Sequence, residues 1–168
     1  MITENRLTTY INSLAQGDGP LIETIAENAV KNRVPIIRRE TASLLKTMVT
    51  LVAPNRILEV GTAVGYSALL MASVMPKECR ITTIEKYEKR IEEARKNFLR
   101  AGVGEKITLM EGDADHILDT LSHQHFDLIF MDAAKGQYLG WLPKILPMME
   151  PGALLISDNV LQDGDVIQ

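Results

Sequence analysis

Downstream of Asn55 the chain repeats one pattern, a short apolar run followed by a turn and an amphipathic helical stretch. The apolar runs fall at Arg56–Val60, Arg80–Ile84, Lys106–Met110, Phe126–Met131 and Ala153–Ser157. The helical stretches between them reach Met75, Ala101 and Leu121, and a last one covers Tyr138–Met149. Strands that run parallel cannot be joined by tight hairpins and need a crossover, usually a helix. The alternation therefore predicts βαβ units, and with them an open, mostly parallel, twisted sheet covered by helices on both faces. Right-handed crossovers leave few other topologies.

Ahead of Asn55 the pattern is helical. Two helices are expected around a break at Gly17, Asp18, Gly19 and Pro20; in the second, Leu21, Ile22, Ile25, Ala26, Ala29 and Val30 recur at helical spacing after a proline suited to a first turn. From Glu40 to Ala53, residues Leu44, Leu45, Met48, Leu51 and Val52 are expected on one face, and Pro54 ends the run. With 168 residues, 46% hydrophobic and 24% charged, the chain has material for one core. Folding at this size hides roughly 70% of the unfolded surface without a metal or disulfide staple. No linker, repeat or low-complexity stretch interrupts the chain, so residues 1–168 are expected to form a single domain.

Cys79 has no partner in the sequence, which excludes a disulfide framework and suits a reducing cytoplasm, the expected location. No apolar run has the length of a membrane span, and the opening residues lack the pattern of a signal peptide. The net charge of −4 conceals a split. Residues 1–104 carry 15 Lys and Arg against 11 Asp and Glu, whereas 105–168 carry 3 against 11. A basic patch beside an acidic, cation-binding edge fits this asymmetry, and so does ordinary solvated surface.

Each apolar run is followed by an acid at or near its carboxyl end: Glu59, Glu85, Asp113, Asp132 and Asp158. Parallel strands end on one edge, and open α/β sheets bind ligands there, so these acids are placed for binding; helix capping is the competing reading, above all for Asp113. The first turn, Glu59-Val60-Gly61-Thr62-Ala63-Val64-Gly65-Tyr66-Ser67, has two glycines that allow close approach of backbone to a ligand. It matches neither the dinucleotide fingerprint nor the P-loop. Glu85, ending the next strand, is placed to accept hydrogen bonds from both hydroxyls of a ribose. A purely structural turn remains open on these residues alone.

Three segments in order are more specific. Ile57 through Ala68, Phe126-Asp127-Leu128-Ile129-Phe130-Met131-Asp132-Ala133-Ala134-Lys135-Gly136-Gln137-Tyr138, and Leu154-Leu155-Ile156-Ser157-Asp158-Asn159-Val160-Leu161 resemble the motifs of cation-dependent O-methyltransferases, the family of catechol and caffeoyl-CoA methyltransferases. Ala133 through Tyr138, together with Val34-Pro35-Ile36-Ile37, are most similar to the bacterial tRNA 5-hydroxyuridine branch of that family. The resemblance implies a Rossmann-like class I methyltransferase fold binding S-adenosylmethionine, with Ile37, Glu59, Gly61, Tyr66, Ser67, Glu85, Asp113, Ala114 and Asp132 around the cofactor. It also implies methyl transfer to a metal-bound hydroxyl, with 5-hydroxyuridine in tRNA as the expected acceptor. The alternatives are a small catechol or caffeoyl ester, a non-catalytic cofactor-binding or RNA-binding module, and a nicotinamide oxidoreductase.

Asp132, Asp158 and Asn159 offer two carboxylates and an amide oxygen from adjacent strand ends, a hard oxygen set suited to Mg²⁺, Mn²⁺ or Ca²⁺. Loop capping by the two aspartates is the competing reading. His116, His123 and His125 are expected on the surface away from that edge, which argues against zinc. Lys135 lies three residues after Asp132; a lysine beside a cation has its ammonium form disfavoured and accepts a proton, so Lys135 is the candidate catalytic base, with a salt bridge to an acid as the alternative.

Lys31, Arg33, Arg38 and Arg39 form a basic cluster without an intervening acid, a candidate contact for tRNA phosphates. The later run of Lys86, Lys89, Arg90, Arg95, Lys96 and Arg100 is broken by Glu88, Glu92 and Glu93 and reads mostly as solvated helix. Tyr138 and Trp141 are available to stack on a base, to pack in the core or to meet a second copy. A homodimer is the expected assembly. Family members usually continue past the Asp158-Asn159 motif into a further helix and an antiparallel strand pair, so the last strands of the usual seven-stranded sheet are expected to be missing here, leaving an exposed edge.

Overall fold

The computed structural model describes residues 5–14 and 17–160. Five strands, β1 (Arg56–Val60), β2 (Arg80–Glu85), β3 (Ile107–Glu111), β4 (Phe126–Met131) and β5 (Met149–Ser157), form one sheet. Its order is β3-β2-β1-β4-β5 and every pairing is parallel. Helices α1 (Asn5–Leu14), α2 (Pro20–Lys31) and α3 (Arg39–Val52) precede β1. Helices α4 (Tyr66–Val74), α5 (Glu88–Arg100), α6 (Ala114–Thr120) and α7 (Tyr138–Ile145) make the crossovers. The expected α/β architecture is therefore the observed one. Strand order reverses beside β1, so the crevice between the ends of β1 and β4 is where such a sheet admits a ligand.

The strands are buried on both faces because their residues alternate between two cores. Ile57, Ile81, Leu128 and Phe130 pack with Ala42, Leu45 and Val49 of α3, Leu69 of α4 and Phe98 of α5. Leu58, Val60, Ile84, Ile129 and Met131 pack on the opposite face with Ile117 and Leu118 of α6 and Trp141 and Ile145 of α7. Each fully buried Leu or Ile contributes about 1.5–3 kcal/mol, which is why runs without polar alternation settle here as interior strands. Entry into β1 is fixed by Asp127, whose Oδ2 accepts the amides of Asn55 at 2.7 Å and Arg56 at 2.8 Å.

Some expectations need correction. In α3 the buried face is Ala42, Leu45 and Val49, while Leu44 and Leu51 face outward, as does Val30 of α2. The stretch expected to be helical to Met149 stops at Ile145 and tightens into a 3₁₀ turn over Leu146–Met148, because Pro147 brings no N–H to continue the helix. β5 begins at Met149, but its regular pairing with β4 resumes only at Leu154, after an irregularity that contains Gly152 at φ +86°. The Leu161 that closed the third motif lies outside the described residues.

Candidate active site

A cleft of about 620 Å³ opens at the carboxyl ends of β1, β2 and β4. Gly61 forms its floor at φ +107°, and its amide donates to the Ile84 carbonyl at 3.0 Å. A Cβ here would stand 2.1 Å from the Asp132 carbonyl oxygen, so only glycine lets the first turn lie against the end of β4. Gly65, at φ +84°, starts α4 where a Cβ would run into the Phe98 ring at 2.5 Å.

Glu85 reaches the cleft with its carboxylate held by three backbone amides. Oε2 accepts from Ala63, and Oε1 from Lys86 and Tyr87, each at 2.9 Å. These bonds set its direction and leave acceptor capacity for a ligand. Asp113 caps α6 by accepting the Asp115 amide at 3.0 Å, and its second oxygen lies 3.3 Å from Lys86 Nζ. Those bonds hold its carboxyl below the usual range. The capping reading of Asp113 is thus observed, and the residue also lines the cleft, next to Ala114.

Ile37, Glu59, Tyr66 and Ser67 are buried and do not line this cleft. Glu59 is fully buried on the α4 side of the sheet, directly opposite Thr83 in the register. It accepts from Ser67 Oγ at 2.5 Å and from the Thr83 hydroxyl. Since the Thr83 proton goes to Glu59, the Thr62 hydroxyl, 2.6 Å from that of Thr83, is the donor in their contact. Desolvation pushes the Glu59 carboxyl up to about 7 against the pull of the two hydroxyls, aided by the charges of Asp132 and Glu85.

Asp132, which lines the cleft, and Asp158, which does not, each follow directly on the paired residues Met131 and Ser157. The Asp158 amide donates to the Met131 carbonyl at 3.0 Å, and Asn159 follows in a left-handed conformation at φ +59°. Burial and the neighbouring charge of Asp132 raise the Asp158 carboxyl; Arg38, at the start of α3, is close enough to offset part of this. Lys135 Nζ lies 2.6 Å from Asp132 Oδ1. Burial alone would lower the lysine, but the hydrogen bond and charge of Asp132 outweigh it, so its pKa stands above the ordinary value. The salt-bridge alternative for Lys135 is thus the observed contact.

Four further cleft residues were not read as such from sequence: Lys86, Arg90, His116 and Trp141. His116 is a correction, since it stands at the ligand edge on the first turn of α6, three residues after the capping Asp113. Its proximity to that cap is the signal that would have placed it. Trp141 is buried, and its Nε1 has no hydrogen-bond partner among the described residues. Of the basic cluster, Lys31 ends α2, Arg33 lies just past its cap Asn32, Arg38 stands at the N-cap of α3, and Arg39 pairs with Glu23 at 2.8 Å.

A doubly covered parallel sheet with a glycine-floored cleft and strand-end acids defines a nucleotide-type cofactor protein of the class I methyltransferase architecture. The O-methyltransferase family matches residues 12–168, and the chain belongs to it. It is similar to a catechol O-methyltransferase of Niastella koreensis, 34% identical over 98% of this chain and 70% of that protein. It is also similar to caffeoyl-CoA O-methyltransferase 2 of Zea mays, 32% identical over 76% of this chain and 50% of that one. The crystal structure of the O-methyltransferase from Bacillus cereus in complex with S-adenosylhomocysteine superposes with a TM-score of 0.88 at 26% identity, over 96% of this chain and 76% of that one. The protein is accordingly an S-adenosylmethionine-dependent O-methyltransferase of the cation-dependent family that its motifs resemble.

Proposed function

We propose that the protein transfers a methyl group from S-adenosylmethionine to a hydroxyl of a small catechol-type or caffeoyl-type diol, with a divalent cation at Asp132, Asp158 and Asn159. The observation that carries this reading is the Lys135–Asp132 pair in a cleft lined by Gly61, with Asp158 close enough for the charge of Asp132 to act on it. The cleft suits the cofactor: Gly61 lets the first turn pack against the end of β4, and Glu85 presents its carboxylate there with its direction fixed by three backbone amides. The donor set suits a hard cation, because two carboxylates and an amide follow adjacent strand ends, where burial and the charge of Asp132 raise the cost of ionising Asp158. When bound, the cation supplies Lewis acidity at the acceptor oxygen, and S-adenosylmethionine supplies the electrophilic methyl. Glu85 holds the ribose, and the Gly61 turn orients the methionyl portion for in-line transfer. Lys135, held at Asp132 at the edge of the cleft, is the group placed to take the acceptor proton.

The two curated relatives named above are a catechol and a caffeoyl-CoA O-methyltransferase, which favours such an acceptor; the tRNA reading rests on the resemblance of residues 133–138 and 34–37 and on the basic cluster, of which Arg39 is engaged with Glu23. The test is methyl transfer to a simple catechol with Mg²⁺, run against tRNA lacking the modification, in the wild type and in Arg38→Glu/Arg39→Glu. Turnover of the catechol that vanishes with chelator and is indifferent to the charge reversal is expected. Turnover on tRNA alone, with an apparent KM that rises on charge reversal most strongly at low salt, would replace the small diol by RNA.

A further inference from the structure

The hydroxyl of Tyr138 lies where the ends of β4 and β5 meet, and the roles considered so far leave it unused. Tyr138 starts α7 and is buried, with its ring beside Trp141 at 6.2 Å between centroids. Its Oη donates to the Met131 carbonyl at 3.0 Å, accepts the Ala133 amide at 3.1 Å, and has the Asp158 carbonyl at 3.4 Å. One side-chain atom therefore contacts the backbone immediately before Asp132, immediately after it, and at Asp158 itself. Between the two strand ends the backbone supplies the Asp158 amide bond to Met131. The Ala133 amide, past the end of the ladder, has Tyr138 as its acceptor, and a buried amide without one costs about as much as a lost hydrogen bond.

We infer that Tyr138 is a positioning residue, whose hydroxyl sets the separation and direction of the Asp132 and Asp158 carboxylates and so the affinity of their site for a divalent cation. This rests on the metal reading proposed above and extends it to a residue that need not touch metal, cofactor or acceptor. The ring is anchored in the core with Trp141 and Ile145 of α7, and its face also meets Lys135, whose Nζ lies 5.9 Å from the ring centroid. Groups that orient metal ligands in this way typically change metal affinity about 10- to 100-fold when removed.

The experiment is Tyr138→Phe, which keeps the ring and its packing and removes only Oη. Binding of Mn²⁺ alone is measured by the paramagnetic resonance of the free ion, S-adenosylhomocysteine binding by calorimetry, and the melting temperature alongside. The expected result is an Mn²⁺ Kd raised tenfold or more with the S-adenosylhomocysteine Kd changed less than twofold. An Mn²⁺ Kd within twofold of wild type overturns the inference and leaves the metal reading standing. Mn²⁺ and S-adenosylhomocysteine affinities that fall in parallel with a large drop in melting temperature overturn it in favour of a general structural role. A wild-type protein that binds no Mn²⁺ defeats the metal reading itself, and this inference with it.

Discussion

Gly61→Ala is the sharpest test of how the cleft is built. The added Cβ would lie 2.1 Å from the Asp132 carbonyl oxygen, 2.8 Å from its carbon and 3.2 Å from the Ala133 Cβ. Two of those atoms are backbone of a strand end that cannot swing aside, so ordinary contact needs a shift of roughly 1 Å or more between the turn and β4. Alanine at φ +107° adds strain of about 1–3 kcal/mol, and overpacking adds about 1–3 kcal/mol. The combined loss of about 2–6 kcal/mol is large against a total stability of about 5–15 kcal/mol, and corresponds to a fall in melting temperature of roughly 5–20 °C. Because the turn would part from the end of β4 that carries Asp132, S-adenosylhomocysteine should bind about ten- to a hundredfold more weakly. Thermal denaturation and calorimetry read both effects. Gly140→Ala is the control, since a Cβ there meets nothing within 4 Å inside α7, and it should stabilise by about 0.5–1 kcal/mol. A Gly61→Ala protein with wild-type melting and affinity would refute the backbone contact between the loop and β4.

Asp158→Ala should abolish turnover yet leave S-adenosylhomocysteine affinity nearly intact, whereas Asp132→Ala should harm both, because Asp132 also holds Lys135 and abuts Gly61; full turnover of Asp158→Ala in chelator would remove that residue from the site. Glu85→Ala should weaken S-adenosylhomocysteine binding by about 1.5–3 kcal/mol, the cost of a hydrogen bond to a charged group, and an unchanged Kd in a folded variant would speak against ribose recognition. Glu59 makes stability fall as pH rises: its carboxyl goes from 4.5 unfolded to about 7 folded, so between those values the unfolded state releases a proton that the native state keeps. That loss is on the order of 3 kcal/mol by pH 8 and is absent in Glu59→Gln, so urea denaturation at pH 5 and pH 8 should show the variant gaining on wild type at the higher pH; parallel curves would contradict the burial of an ionisable Glu59.

The limits of β1 and β4 coincide with the apolar runs read from sequence, because both runs stop at residues that leave the ladder, Gly61 and Asp132. The strand-end position of the acids was legible for the same reason. Which face each acid takes was not, since strands buried on both sides carry no polar alternation to set the parity. Glu59 shares its face with Ile57 and Thr83 and is drawn inward, while Glu85 is turned to the cleft by the amides of Ala63, Lys86 and Tyr87. In α3, Leu44 and Leu51 are as apolar as Leu45, and only the presence of β1, β4 and α4 decides that the Ala42 side is the one covered. His116 and Arg90 reach the cleft through crossover geometry that brings two helix starts to one strand edge, a relation that spacing along the chain does not contain.

Among the described residues β5 pairs with β4 alone, and Ala153–Ser157 is only half-buried, whereas β1, β2 and β4 are each paired on both sides. The cofactor end of the cleft, with Gly61 and Glu85, thus ends strands locked into the sheet, while Asp158 and Asn159 end a strand held from one side. Local opening costs least where the fewest contacts must be broken, so among the described residues β5 is expected to open ahead of β1, β2 and β4. Amides of β5 should exchange with solvent ahead of those of β1, and on warming the cation should be released while the cofactor is still retained.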